Sequence, residues 1–288
     1  MRSFLSSVSA VLIVLVALLT PLSALAVWAD REIGDTDGYV AAMEPLASDP
    51  AVQNAVAARI TDEVMKKFDG RPYREGVRNL LHEAVVSFSG TESFRAVWNT
   101  VNRAAHQAVE EGLSSDSEDA VGMDLAPVIE QVKRQLDDDG VPFAEQIPVG
   151  HTRITILESD ELGVAREVFD GLRLAGVWLP VTTLLLASSA PLLASRRART
   201  LTTLGLALSA GAVLLRIALT VGRALALDDL PPDVDRAAAG AVYDALTSTL
   251  VRTGWWVMWV GLAVGALAWL WGRRTTVVCS RADAPAPL

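Results

Sequence analysis

One cysteine, Cys279, stands in 288 residues, so no internal disulfide can form. Histidine is nearly as scarce: His82, His106 and His151 are the only three. No HExxH, CxxC, GxSxG, Walker or GxGxxG run occurs, which removes the common spacings for metal, nucleophile and phosphate chemistry. His106 and Glu110 are spaced i,i+4 on one predicted helix, but two ligands do not make a metal site, and a packing histidine is the simpler reading. The run Asp137-Asp138-Asp139-Gly140 lacks the alternation of a calcium loop and reads as a turn. Asp116, Glu118 and Asp119 read as a solvated loop. Positive charge is short as well: 25 Lys and Arg face 34 Asp and Glu, a net charge of −9, which excludes the basic footprint of a nucleic-acid partner. Between Arg2 and Asp30 there is no charge at all.

What the chain has is apolar length. Hydrophobic residues make up 51% and the mean hydropathy is +0.33, values that suit a chain partly in lipid. A bilayer core of roughly 30 Å needs about 20 helical residues. Four segments meet that requirement: Val8 to Trp28, Leu174 to Ala194, Leu201 to about Val221, and Gly254 to Gly272. The first also spells a secretory signal, with Arg2, the run Val8 to Leu19, Pro21 and Ala24-Leu25-Ala26. The uncleaved anchor is preferred because the apolar run continues through Val27. Pro180, inside the second segment, is tolerated in a membrane helix with a kink.

Basic residues in the short connections orient the spans. Arg2, then Arg196, Arg197 and Arg199, then Arg273, Arg274 and Arg281 make seven on one side, against Asp283 alone. Four spans put all seven on the cytoplasmic side, with both termini. Residues 1–29, 173–195, 200–223 and 254–272 are the predicted spans. Residues 30–172 and the loop 224–253 are predicted outside, and 273–288 form a cytoplasmic tail. The outer stretch from Asp30 to Asp170 is acidic, with 28 Asp and Glu against 13 Lys and Arg. That reads as a solvated surface that anionic headgroups repel.

Two features of the spans stand out. Arg216 lies about two thirds along the third, where a charge is costly. It either carries a function or snorkels to the outer interface, about 8 Å away at 1.5 Å per residue. No acidic residue lies within a span to pair with it. In the fourth span Gly261 and Gly265 form a GxxxG pair suited to close helix contact, and Gly205, Ser209 and Ala212 offer a small-residue face on the third. Trp255, Trp256 and Trp259 at one end and Trp269 and Trp271 at the other make an aromatic belt.

The outer domain reads as helices. Asp49-Pro50 is an N-cap followed by Pro at the first helical position. Val52, Val56, Ile60, Val64 and Phe68 then predict one apolar face, with Gly70 as the stop. Pro72 starts a second helix with the face Val77, Leu81, Ala84, Val85 and Phe88. A third carries Phe94, Val97, Trp98, Val101, Ala105 and Ala108 and is closed by Gly112. A shorter helix over Asp37 to Ala47 precedes them, and together they predict a small antiparallel bundle. Ala120 to Leu125 and Thr152 to Leu157 predict two short strands that can pair, with a helix from Pro127 to about Leu136 between them. Asp160 is the expected cap of the helix leading into the second span. In the outer loop, Val234 to Val251 is amphipathic and either lies against the domain or leads into the fourth span. The predicted fold is therefore mainly α: a four-helix transmembrane region plus an extracytoplasmic helical bundle with a minor two-stranded β element.

The runs Pro45-Leu46-Ala47-Ser48-Asp49-Pro50-Ala51-Val52-Gln53, Val56-Ala57-Ala58-Arg59-Ile60-Thr61-Asp62, Trp98-Asn99-Thr100-Val101-Asn102-Arg103-Ala104-Ala105-His106 and Asp124-Leu125-Ala126-Pro127-Val128 carry a resemblance. With them the chain resembles a family of uncharacterised multi-pass membrane proteins of high-GC actinobacteria. The resemblance covers the outer domain and the first two spans well, and the last two more loosely. It implies an uncleaved first helix and an exported helical domain, and it carries no catalytic residues. The expected role is a non-enzymatic envelope component of the plasma membrane. Its partners are the lipid bilayer and other membrane or envelope proteins, with no cofactor and no metal. Two rivals share the layout. A permease-like subunit of an export complex would need a separate ATPase, and the short cytoplasmic pieces offer no coupling helix. An outer-face sensor would need a partner to supply an output domain.

Overall fold

In a computed structural model, residues 2–66, 74–114, 121–124, 126–138, 140, 153–157, 159–193 and 197–282 are described. Helix α1 (Arg2–Trp28) contains Pro21 and runs into a π-turn, Ala29–Ile33. Helix α2 (Thr36–Met43) follows, then a 3-10 turn, Glu44–Ser48. The helices α3 (Pro50–Lys66), α4 (Arg74–Ser89) and α5 (Glu92–Ser114) come next. Strand β1 (Val121–Asp124), helix α6 (Ala126–Asp138) and strand β2 (Arg153–Leu157) precede the long helices α7 (Ser159–Leu193), α8 (Arg197–Asp228) and α9 (Arg236–Ala282). The strands form one antiparallel ladder, with Val121 opposite Leu157 and Asp124 opposite Arg153. The chain is mainly α.

Among the described residues, three helical stretches are long and apolar enough to cross a membrane: Val11–Ile33, Ala198–Asp228 and Arg236–Trp271. The described apolar part of α7, Leu174–Ser189, is shorter.

The chain divides into two units. The first, apolar unit comprises residues 1–30, 172–222 and 248–288. In it α1 meets α7 and α8 through small residues. Ser23 Oγ lies 2.7 Å from Thr183 Oγ1. A methyl at Gly176 would stand 2.8 Å from the Asp30 Cβ, and one at Gly211 would stand 2.8 Å from the Ala17 carbonyl oxygen. Water cannot drive helices together inside lipid, so close backbone approach and interhelical polar contacts do so. The outward faces carry large apolar side chains, Leu184 at 72% and Trp271 at 73% exposed among them.

The second, polar unit comprises residues 31–171 and 223–247. Its core is Met43, Leu46 and Val52, with Tyr39, Trp98 and Val242 packed against it. Val242 and its neighbours Ala238, Ala241 and Ala245 belong to the first turns of α9, so the amphipathic stretch of the outer loop both packs on this core and continues as helix. Asp49 caps α3, its Oδ1 accepting from the backbone N–H of Ala51 at 2.8 Å and of Val52 at 3.3 Å. Arg223 holds Asp244 with both Nε (2.8 Å) and Nη2 (3.0 Å), a bidentate pair linking the ends of α8 and α9 that belong to this unit.

Several sequence expectations are corrected. The buried positions of α3 are Val52, Ala57, Thr61 and Met65: of the expected face Val52 is buried and Val56 packs against the core, but Ile60 is exposed. Val77 on α4 and Val101 on α5 are exposed, and so is Ala84. Gly112 does not close α5, which runs on to Ser114. Asp137 and Asp138 complete α6, and the expected turn follows directly from them, the Gly140 backbone N–H donating to the Asp137 carbonyl oxygen at 2.9 Å. The chain turns at Gly140, whose φ of 69° favours glycine. Asp160 lies inside α7, not at its cap. At α9, which begins at Arg236 and passes Gly254 without a break, the alternative that the stretch leads on into the following apolar helix holds, because nothing between them stops a helix. The expectations at Gly70, Pro72, His151, the acidic loop around Asp116 and Asp283 lie outside the described residues.

Candidate functional sites

Among the described residues no group of three or more His, Cys, Asp and Glu side chains is placed to hold a metal ion. Two other arrangements gather polar or charged side chains, one in each unit.

In the polar unit, His106 of α5 is gripped from two elements. The Tyr39 ring stacks on it, with centroids 4.5 Å apart and planes at 26°. Its Nε2 lies 2.8 Å from the Ile33 carbonyl oxygen, which only accepts, so Nε2 carries a hydrogen and donates. Its Nδ1 lies 3.0 Å from Thr36 Oγ1, and that hydroxyl donates to Glu110 Oε2 at 2.9 Å. Both nitrogens are engaged, leaving no lone pair for a substrate or metal. His106 therefore ties the π-turn and α2 to α5, and Arg103 on the same helix reinforces the tie by holding Asp37 at 2.6 Å. Burial also pushes the Tyr39 phenol above its ordinary range. His82 is half-buried on α4, away from any such network.

In the apolar unit, α8 and α9 touch at one level and part at another. At the contact, a methyl on Gly205 would strike the carbonyl oxygen of Gly261, and one on Gly261 would stand 2.7 Å from both the Gly205 carbonyl oxygen and Ser209 Oγ. Ser209 Oγ also reaches the Met258 carbonyl oxygen at 3.2 Å. Gly265 is looser, its nearest neighbour across the contact being the Thr202 carbonyl oxygen at 3.5 Å. Further along, the helices enclose a cleft of about 180 Å³, walled by Ala212, Leu215, Leu250, Trp255 and Met258, with Arg216 as its one charged lining residue. A second cleft of about 380 Å³ on the surface of α9 shares Trp255 and Val251 with the first and is lined by Arg252 and Trp256. Among the described residues, neither Arg216 nor Arg252 has an acidic partner.

Of the residues singled out in sequence, Gly261 and Gly265 share one helix contact with Gly205, and Arg216 stands in the cleft beside it. Gly176, Gly211 and the Ser23–Thr183 pair were not singled out. Their signal is a lone small or hydroxyl residue within an apolar run, which is too common to choose between. Comparison with known protein families, curated proteins and solved structures finds no match for this chain.

Proposed function

We propose that this chain is a four-span plasma-membrane protein, with Leu174–Ser189 as part of a fourth span. Both termini are cytoplasmic and the polar unit lies outside. It acts there as a non-enzymatic envelope component, through protein contacts, and belongs with the actinobacterial membrane family it resembles. One observation carries the reading. The division of the fold coincides with the division of hydropathy: glycine-packed helices with apolar exteriors fill one unit, while ion pairs and a water-type apolar core fill the other. The engaged nitrogens of His106 support a binding or scaffolding domain over a catalytic one.

The test is site-directed labelling in intact cells with a membrane-impermeant maleimide. Glu111, exposed on α5, is replaced as E111C in a C279S background, and native Cys279 is followed separately. E111C is expected to react in intact cells, and Cys279 only after permeabilisation. The reverse pattern overturns the orientation. Co-purification of an ATPase from mild detergent would replace the envelope reading with the permease one.

A further inference from the structure

We propose that the cleft between α8 and α9 is a binding site for an anionic phospholipid, with its phosphate on Arg216 and Arg252 and one acyl chain along the apolar wall. The inference rests on α8 and α9 lying in a bilayer, but not on which side the polar unit faces.

Charge is the first ground. A guanidinium within a span costs several kcal/mol unless an anion or water meets it. The described residues supply Arg216 with no carboxylate, and no acidic residue lies in the third or fourth predicted span. At this depth, about five residues from the end of the predicted span, the anion at hand is a lipid phosphate. Shape is the second ground. The cleft wall is aliphatic and aromatic except for Arg216, so it suits an alkyl chain and rejects a free, hydrated phosphate. Trp255 lines both this cleft and the neighbouring one that holds Arg252. Each of the two clefts that share this indole thus carries one arginine. The glycine contact is the third ground. Gly205 and Gly261 press the backbones together on one side of the cleft, which fixes its width whether or not lipid is bound. An arginine that merely snorkels would meet any phosphate in passing and would prefer none.

The full-length protein is reconstituted in phosphatidylcholine vesicles containing a small fraction of either phosphatidylglycerol or phosphatidylcholine with brominated acyl chains. Tryptophan fluorescence is followed, and W255F identifies the share that comes from Trp255. Brominated phosphatidylglycerol is expected to quench that share at about tenfold lower mole fraction than brominated phosphatidylcholine, a difference of ~1.4 kcal/mol. The preference should vanish in R216Q/R252Q, survive in R216K/R252K, and resist excess inorganic phosphate. Equal quenching by the two lipids, or an unchanged preference in the glutamine variant, overturns the site. Loss of the preference in free phosphate overturns the lipid assignment. No quenching by either lipid means these helices are not in the bilayer, which is failure of the membrane reading itself. If the glutamine variant does not fold, mass spectrometry of the detergent-washed wild type decides: phosphatidylglycerol retained one to one supports the site, and none retained refutes it.

Discussion

Tyr39 stacks on His106, ring centroids 4.5 Å apart, and the pair joins α2 to α5 through residues more than sixty positions apart in the chain. The contact belongs to the same network that gives His106 hydrogen bonds to Thr36 and Ile33. Replacing His106 by Ala removes both bonds and the stack. At about 1 kcal/mol per hydrogen bond and ~1 for the aromatic pair, the loss is about 2–3 kcal/mol. H106F keeps the ring and should lose roughly the hydrogen-bond part alone. Urea unfolding of the purified chain, followed by Trp98 in an otherwise Trp-to-Phe background, measures both. An H106A variant as stable as the parent would show that the network does not hold α2 to α5.

Tyr39 gives this contact a pH dependence of known sign. Burial disfavours the phenolate, so in the folded chain Tyr39 ionises above its ordinary value of 10.0. The unfolded chain then gives up this proton first as pH rises. The contribution of Tyr39 to stability is complete below about pH 10 and is lost as pH climbs through the folded value. Absorbance titration of a Y73F/Y243F variant isolates this phenol. Its midpoint should lie above that of the same protein in denaturant, and Y39F should flatten the alkaline fall in stability. Coincident midpoints would contradict the burial.

Local signals in the sequence were legible where the physics is local. The Asp49 cap lies within three residues of the donors it satisfies, so its residues alone foretold it. The face of α3 was only partly legible because hydropathy marks the large Ile60 and Val64 and passes over small Ala57 and polar Thr61, whose size lets a neighbouring element approach. Val52 and Val56 do pack on the core, but further along α3 the buried positions are Ala57, Thr61 and Met65, one residue on from Val56, Ile60 and Val64, and Ile60 is exposed. Hydropathy marked Gly254 as the start of an apolar span, and the helix runs through it because a helix continues wherever its backbone bonds do, whatever its polarity. The cleft was beyond reach for another reason. Arg216 was conspicuous as a charge, but its walls come from Leu250 to Met258, far along the chain, and no periodicity within either helix records which faces meet.

Glycine at the α8–α9 contact and glycine on α4 should respond to the same substitution with opposite signs. A methyl at Gly261 would stand 2.7 Å from a backbone carbonyl oxygen and from Ser209 Oγ, and 3.2 Å from the Leu208 Cβ. The first of these cannot rotate away, so the helices must separate. Overpacking of this kind costs about 1–3 kcal/mol. Gly76 lies inside α4 with nothing within 4 Å of an added methyl, so alanine there costs no contact. It restricts the unfolded chain and should raise stability by about 0.5–1 kcal/mol. Thermal unfolding of G261A and G76A in the same detergent, followed by circular dichroism, compares them directly. A shift of roughly 2–4 °C per kcal/mol makes both effects measurable. Leucine at Gly261 should be worse than alanine, because its larger side chain must enter the same gap. If G261A melts with the parent while G76A rises, the backbones do not approach at Gly205 and Gly261, and the width of the neighbouring cleft is not fixed by them.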